Sequence, residues 1–99
     1  MEEFVYYNSL YDIYGELLTD KEKDNFIAYY QENYSLAEIA DLKNISRNAV
    51  FKTVKTVIDK LNYYESKLHI YDINKCLSKS LECNSLDQIK KEIREILGE

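Results

Sequence analysis

Residues 35–54 read SLAEIADLKNISRNAVFKTV, and the fold turns on how this stretch is understood. Ser35-Leu36-Ala37-Glu38 has the serine-to-glutamate spacing of a capping box, in which hydroxyl and carboxylate satisfy each other's free amides at a helix start. The short helix that follows offers Leu36, Ile39 and Ala40 as its buried face. It must end soon, because Asn44 tolerates left-handed backbone better than any other non-glycine residue and Ser46 can cap a new helix at once. Small Ala40 lets two helices approach, Ile45 is expected to plug the corner between them, and Val50 to face back into the angle. The spacing therefore predicts helix, turn, helix over about residues 35–56.

Beyond Ser46, Val50, Val54, Val57, Leu61, Tyr64 and Leu68 recur at alternating steps of four and three, with Ile58 broadening the middle. A helix from Ser46 to about Ile70 would be roughly 36 Å long, more than a compact three-helix unit covers. The cover must come from the tyrosine-rich N-terminal helix, the final helix or a second copy of the chain, and the expectation adopted is a second copy. Upstream, Phe4, Tyr7, Tyr11, Tyr14 and Leu18 form one stripe, widened by Leu10 and Leu17, with Gly15 weakening the helix by about 1 kcal/mol. Thr19-Asp20-Lys21-Glu22 is another capping box, opening a helix that carries Phe26, Ile27 and Tyr30. A last helix over about 85–97 starts at Ser85, with Gln88 completing the same pattern, and is expected to bury Leu86, Ile89, Ile93 and Ile96 or Leu97. Residues 77–84 carry no clear signal.

With no proline and two glycines, the chain is composed for long helices. The fold class is all-α: a helix-turn-helix bundle with a long recognition and dimerisation helix and a C-terminal helix. Hydrophobic residues make up 45% of 99 positions, enough for one core, so residues 1–99 are read as a single helical domain. Tyr7, Tyr11, Tyr14, Tyr30 and Tyr64 are expected to be more than half buried in the dimer.

Several classes of function fall away. No stretch approaches the ~18 apolar residues of a membrane span, and MEEFVYYNSL lacks the basic start and apolar run of a secretory signal, so the protein is expected in the cytoplasm. Cys76 and Cys83 fit no zinc spacing and are read as reduced thiols. His69, between Leu68 and Ile70, is read as a packed or half-exposed ring with no partner for catalysis. There is no glycine-rich phosphate loop and no nucleophile with a base, and Asp12, Glu16, Asp20 and Glu22 read as a solvated face. Neither an enzyme nor a cofactor or metal site is expected.

The net charge of −5 argues against nucleic acid only until it is resolved along the chain. Residues 1–42 hold ten acidic and two basic side chains, residues 43–67 two acidic and six basic, and residues 68–99 six acidic and five basic. The positive character thus lies on the second helix of the motif. Screening over ~8 to 10 Å lets such a helix act partly independently of distant carboxylates. With Val50, Val54 and Val57 fixed inward, Arg47, Asn48, Phe51, Lys52 and Lys55 point outward, and Lys43 and Ser46 flank them. Arg47 can fork onto a guanine edge or a phosphate, and Asn48 can bridge an adenine edge. Lys52 and Lys55 suit phosphate contacts, and Phe51 suits a thymine methyl or a stacked base. The other use of the same frame is to bind protein. Tyr63, Tyr64 and Phe51, with the acidic N-terminal helix, could dock a partner, since a tyrosine ring is apolar while its hydroxyl stays wet.

Across residues 4–72 the chain resembles the YlxM-type helix-turn-helix proteins. The resemblance is carried by Leu17-Leu18-Thr19 before a charged helix start, SLAEIA at 35–40, SRNAV at 46–50 and YESKLHI at 64–70. The second and third of these are also similar to the promoter-reading fourth region of bacterial sigma factors. The resemblance implies a dimer-forming, all-α regulator or accessory of the signal recognition particle pathway, whose partners would be DNA or the particle's RNA and the pathway's GTPases. The family's recognition segment falls on Ser46, Arg47, Asn48, Ala49 and Val50. Asn48 stands where the family usually has glutamine and Lys43 where it has an apolar residue. Phe51 and Lys52 replace a tyrosine and an acidic residue, which makes this helix more basic than the pattern.

Overall fold

The computed structural model describes residues 2–82 and 85–98, and among them it is helical, with no strand. These residues form two compact units, one ending at Lys67 and one beginning at Leu68.

In the first unit, helix α1 (Glu2–Tyr14) runs into a 3₁₀ turn at Gly15–Leu17. The break comes where a β-carbon on Gly15 would sit 3.2 Å from the Tyr11 ring, so glycine allows a closer approach than alanine would. Leu18 stays buried beyond the break, while Leu17, expected to widen the stripe, is turned outward and exposed. Helix α2 (Asp20–Phe26) starts on the predicted box: Glu22 N–H donates to Thr19 Oγ1 at 3.2 Å, and Thr19 N–H donates to Glu22 Oε1 at 2.9 Å. It leaves through one wide π turn, Ile27–Gln31, pinned when Asn8 Nδ2 donates to the Tyr30 carbonyl at 3.1 Å. That turn sets Tyr30 against Phe4 at 4.6 Å and Phe26 at 4.7 Å, and Tyr11 stacks on Phe26 at 4.6 Å.

Helix α3 (Leu36–Lys43) opens on the second predicted box, with both arms present at Ser35 and Glu38. Asn44 adopts the left-handed conformation at φ 56°, its N–H donating to Asp41 O and that of Ile45 to Ala40 O at 3.1 Å. This pair of bonds is a Schellman closure with asparagine in the place glycine usually takes. It also corrects the expectation for Ile45. The side chain sits just past the helix end, 39% exposed, and the corner is filled by Ile39, Ala40 and Val50, all buried.

Helix α4 (Arg47–Leu68) begins with Ala49 N–H donating to Ser46 Oγ at 3.0 Å. Val50, Val54, Val57 and Leu61 are buried within the single chain. Their cover is therefore not a second copy. Aromatic and polar groups of α1 and α2 lie along the helix instead: Tyr14 Oη donates to buried Glu65 at 2.6 Å, Asn62 donates to Tyr7 at 3.1 Å, and Lys60 pairs with Glu22 at 2.7 Å. Tyr7 and Tyr14 of the N-terminal helix meet the far part of the stripe at Asn62, Tyr64 and Glu65, whereas Leu68, expected as its last member, is 50% exposed. Tyr7, Tyr11, Tyr14, Tyr30 and Tyr64 are all more than half buried in one chain.

The second unit is a hairpin of helices α5 (Ile70–Ser80) and α6 (Leu86–Leu97). Spacing suggested one helix running to Ile70, whereas α4 ends at Leu68 and His69 turns left-handed at φ 54°. The chain has no glycine or proline there to mark the break. The ring of His69 is exposed, with Asp72 at 3.8 Å. Ser85 caps α6, but Gln88 does not close the box, donating to Glu92 at 3.2 Å instead. The expected burial of α6 also fails: Leu86, Ile93 and Leu97 are exposed, and Ile89 and Ile96 are half-buried. Cys76 is a free, exposed thiol, and Cys83 lies outside the described residues.

Candidate nucleic-acid interface

The site is built by the turn. Left-handed Asn44 and the Ser46 cap fix where α4 starts, and the buried valines fix its rotation. Asn48, Phe51, Lys52 and Lys55 are consequently exposed, on the side away from Val50, Val54 and Val57, while Arg47 shares the valine phase and is exposed as the first residue of the helix. Leu36 of α3 joins Arg47, Asn48 and Phe51 around a shallow cavity of about 350 Å³. A second hollow continues from Leu36 and Arg47 to Tyr29, Ser35 and Ala37. Phe51, 49% exposed, gives the furrow an aromatic wall beside a guanidinium and an amide.

The other candidates are placed differently. Lys43 is exposed but lines a cleft with Asp24, Ile27, Glu32, Tyr34 and Leu42, so the structure does not bring it to the furrow. The Ser46 hydroxyl is engaged in capping. Lys55 lies 3.7 Å from Asp59 one turn on, an exposed pair whose attraction is weak in water. Among the described residues no ion pair involves Arg47 or Lys52.

Lys60 was counted in the basic excess of the helix, but its ammonium is committed inward. The hydrogen bond to Glu22 raises its pKa above the usual lysine value. On the other side of the pair, burial works to raise the Glu22 carboxyl. That effect is outweighed by hydrogen bonds from Lys60 and Thr19, which hold it below the ordinary 4.5. Sequence spacing could not reveal this pairing, because the partners are 38 residues apart. Spacing also missed Leu36 as part of the outer furrow. Its half-buried position at the first residue of α3 was legible only as a core residue.

The turn, the short helix before it and the exposed face after it define an all-α helix-turn-helix protein. Residues 1–97 match the protein family described as "Putative helix-turn-helix protein, YlxM / p13 like", also named UPF0122. The chain belongs to this family. It is 41% identical over 98 residues to a UPF0122 protein of Thermoanaerobacter sp. strain X514, spanning 99% of this chain and 79% of that protein. It is 41% identical over 88 residues to one from Oceanobacillus iheyensis, covering 89% of this chain and 84% of the other. The UPF0122 protein YofM of Lactococcus lactis subsp. lactis is 41% identical over 85 residues, covering 82% and 77% of the two chains.

Proposed function

We propose that this protein binds nucleic acid through the start of α4 and acts in the cytoplasm as a homodimeric regulator associated with the signal recognition particle. The observation that carries the reading is the sidedness of α4. Four aliphatic residues are buried while Asn48, Phe51, Lys52 and Lys55 are exposed on the other side of the helix, with Arg47 exposed at its first turn. Arg47 and Asn48 flank the cavity and are suited to base edges, Phe51 to a methyl or base face, and Lys52 and Lys55 to phosphates. The association with the particle, and with its RNA or DNA as ligand, rests on the resemblance to the YlxM-type pattern. On duplex DNA, the two recognition helices of a dimer should lie roughly 34 Å apart.

A second reading makes the protein an adaptor that docks a GTPase of the same pathway, and the exposure of Tyr63 at 59% beside that of Phe51 favours it. One experiment separates the two. In a pull-down with the particle's RNA, duplex DNA and a GTPase of the pathway, the double variant Arg47→Ala with Lys52→Ala should lose nucleic acid and keep any protein partner. Retention of nucleic acid by that variant would remove α4 from the site.

A further inference from the structure

The two grooves of the C-terminal hairpin differ in kind. One, of about 340 Å³, mixes charged side chains such as Asp72, Lys91 and Glu95 with Ile73, Cys76 and Ile96. The other, of about 620 Å³, is lined by Leu77, Leu81, Ile89 and Ile93 with small polar residues at its edge. Among the described residues beyond Leu61 no apolar side chain is buried. Leu77 is 43% exposed, Leu81 88%, Leu86 65%, Ile93 41% and Leu97 66%. Two helices cannot cover each other's stripe and their own, and an apolar stripe of this width on a surface helix marks a face that packs on another element.

We infer that the apolar groove between α5 and α6 is the homodimer interface, its occupant the same hairpin of a second copy, so that two hairpins close into a four-helix bundle. The inference deepens the homodimeric part of the proposed function and rests on it. Area supports a second copy. Leu77, Leu81 and Ile93 in the groove are continued along α6 by Leu86 and Leu97, so a symmetric pair would cover ten exposed apolar side chains in one patch, on the scale of the ~1,000 Å² a specific interface needs. Charge supports it as well. Residues 68–99 carry six acidic and five basic side chains, so two hairpins meet almost without net repulsion, whereas residues 1–42, ten acidic against two basic, oppose self-association. Shape adds a third argument. Leu81 projects beside a groove with room for several side chains of its size, so each copy offers a knob to the hollow of the other, as an isologous contact requires. Val50, Val54, Val57 and Leu61 of α4 are already covered and need no twin to seal them.

Sedimentation equilibrium on the full chain, without nucleic acid, tests this. The wild type should show the mass of two chains at micromolar concentration. Leu81→Glu and Leu86→Glu, both at exposed positions, should each raise the dimer dissociation constant roughly 100-fold or more while keeping helical circular dichroism. Val5→Glu, on an exposed position of α1, should keep the two-chain mass. A single-chain wild type would overturn the inference, meaning that the groove is covered by its own chain or by another protein. Hairpin variants that stay dimeric would overturn it too, moving the interface elsewhere. Arg47→Ala should remain dimeric, so a loss of nucleic-acid binding in that variant is read separately from the mass.

Discussion

Residues 2–67 and the hairpin that follows spend their apolar residues in opposite ways. In the first unit Leu10, Tyr14, Phe26, Ile39, Val50, Val57 and Leu61 are each at most 2% exposed, and stacked aromatics join α1 to α2 and the π turn. The hairpin has comparably regular stripes and buries none of them. A helical stripe thus announces a contact without naming who makes it. Four helices close a core within one chain, and two helices leave a face for something else.

The comparison predicts a hierarchy of effects. The largest belongs to the aromatic stack: Phe26→Ala removes a fully buried ring with neighbours on two sides and should cost about 3–5 kcal/mol in denaturant unfolding followed by tyrosine fluorescence. A cost under about 1 kcal/mol would mean that the stack is not the centre of the first unit. Next comes the turn that sets the register of α4. Asn44→Ala should destabilise by about 1–2 kcal/mol because its φ of 56° strains a β-carbon, whereas Asn44→Gly should be close to neutral in the same titration. Equal losses in the two variants would point to the side chain rather than the backbone.

A smaller effect should appear as pH dependence. Glu22 titrates below its ordinary 4.5 in the folded chain, so the unfolded chain takes up the proton first. Its contribution to stability is fully present above pH 4.5 and is lost as the pH falls through the folded value. Glu22→Gln should therefore flatten the acid limb of a urea-midpoint profile and leave the profile between pH 6 and 8 parallel to wild type. An unchanged acid limb would mean that other carboxylates govern it. Smallest of all, Val5→Ser on the exposed side of α1 should change stability by no more than about 0.5 kcal/mol.

Local chemistry was the most legible part of this sequence. The boxes at Thr19 and Ser35, the left-handed Asn44, the Ser46 cap and the inward valines all depend on residues within four positions of one another, and all are present. For the same reason the outward residues at 48, 51, 52 and 55 could be read from the valine phase alone, whereas Arg47, in phase with Val50 and Val54, is exposed by its place at the helix start. Contacts across long separations could not. Nothing local tells that Lys60 turns to Glu22, that Tyr14 reaches Glu65, or that α1 takes the place assigned to a second copy. Ile45 shows the limit within the motif itself: an apolar residue at a turn can close a helix end as well as fill a corner, and only the backbone bonds decide. The break at His69 lacks the usual residue types, so periodicity ran through it.

The proposed nucleic-acid contact places phosphates and bases against the exposed face of α4. It is tested most directly by titrating the full chain with the particle's RNA and with duplex DNA over a range of salt concentrations. Two phosphate contacts per chain, from Lys52 and Lys55, predict that the logarithm of the association constant falls with that of salt at a slope of about −1.8 per chain on duplex DNA. Lys52→Ala should reduce that slope by about 1. A slope near zero, or one unchanged by Lys52→Ala, would contradict it.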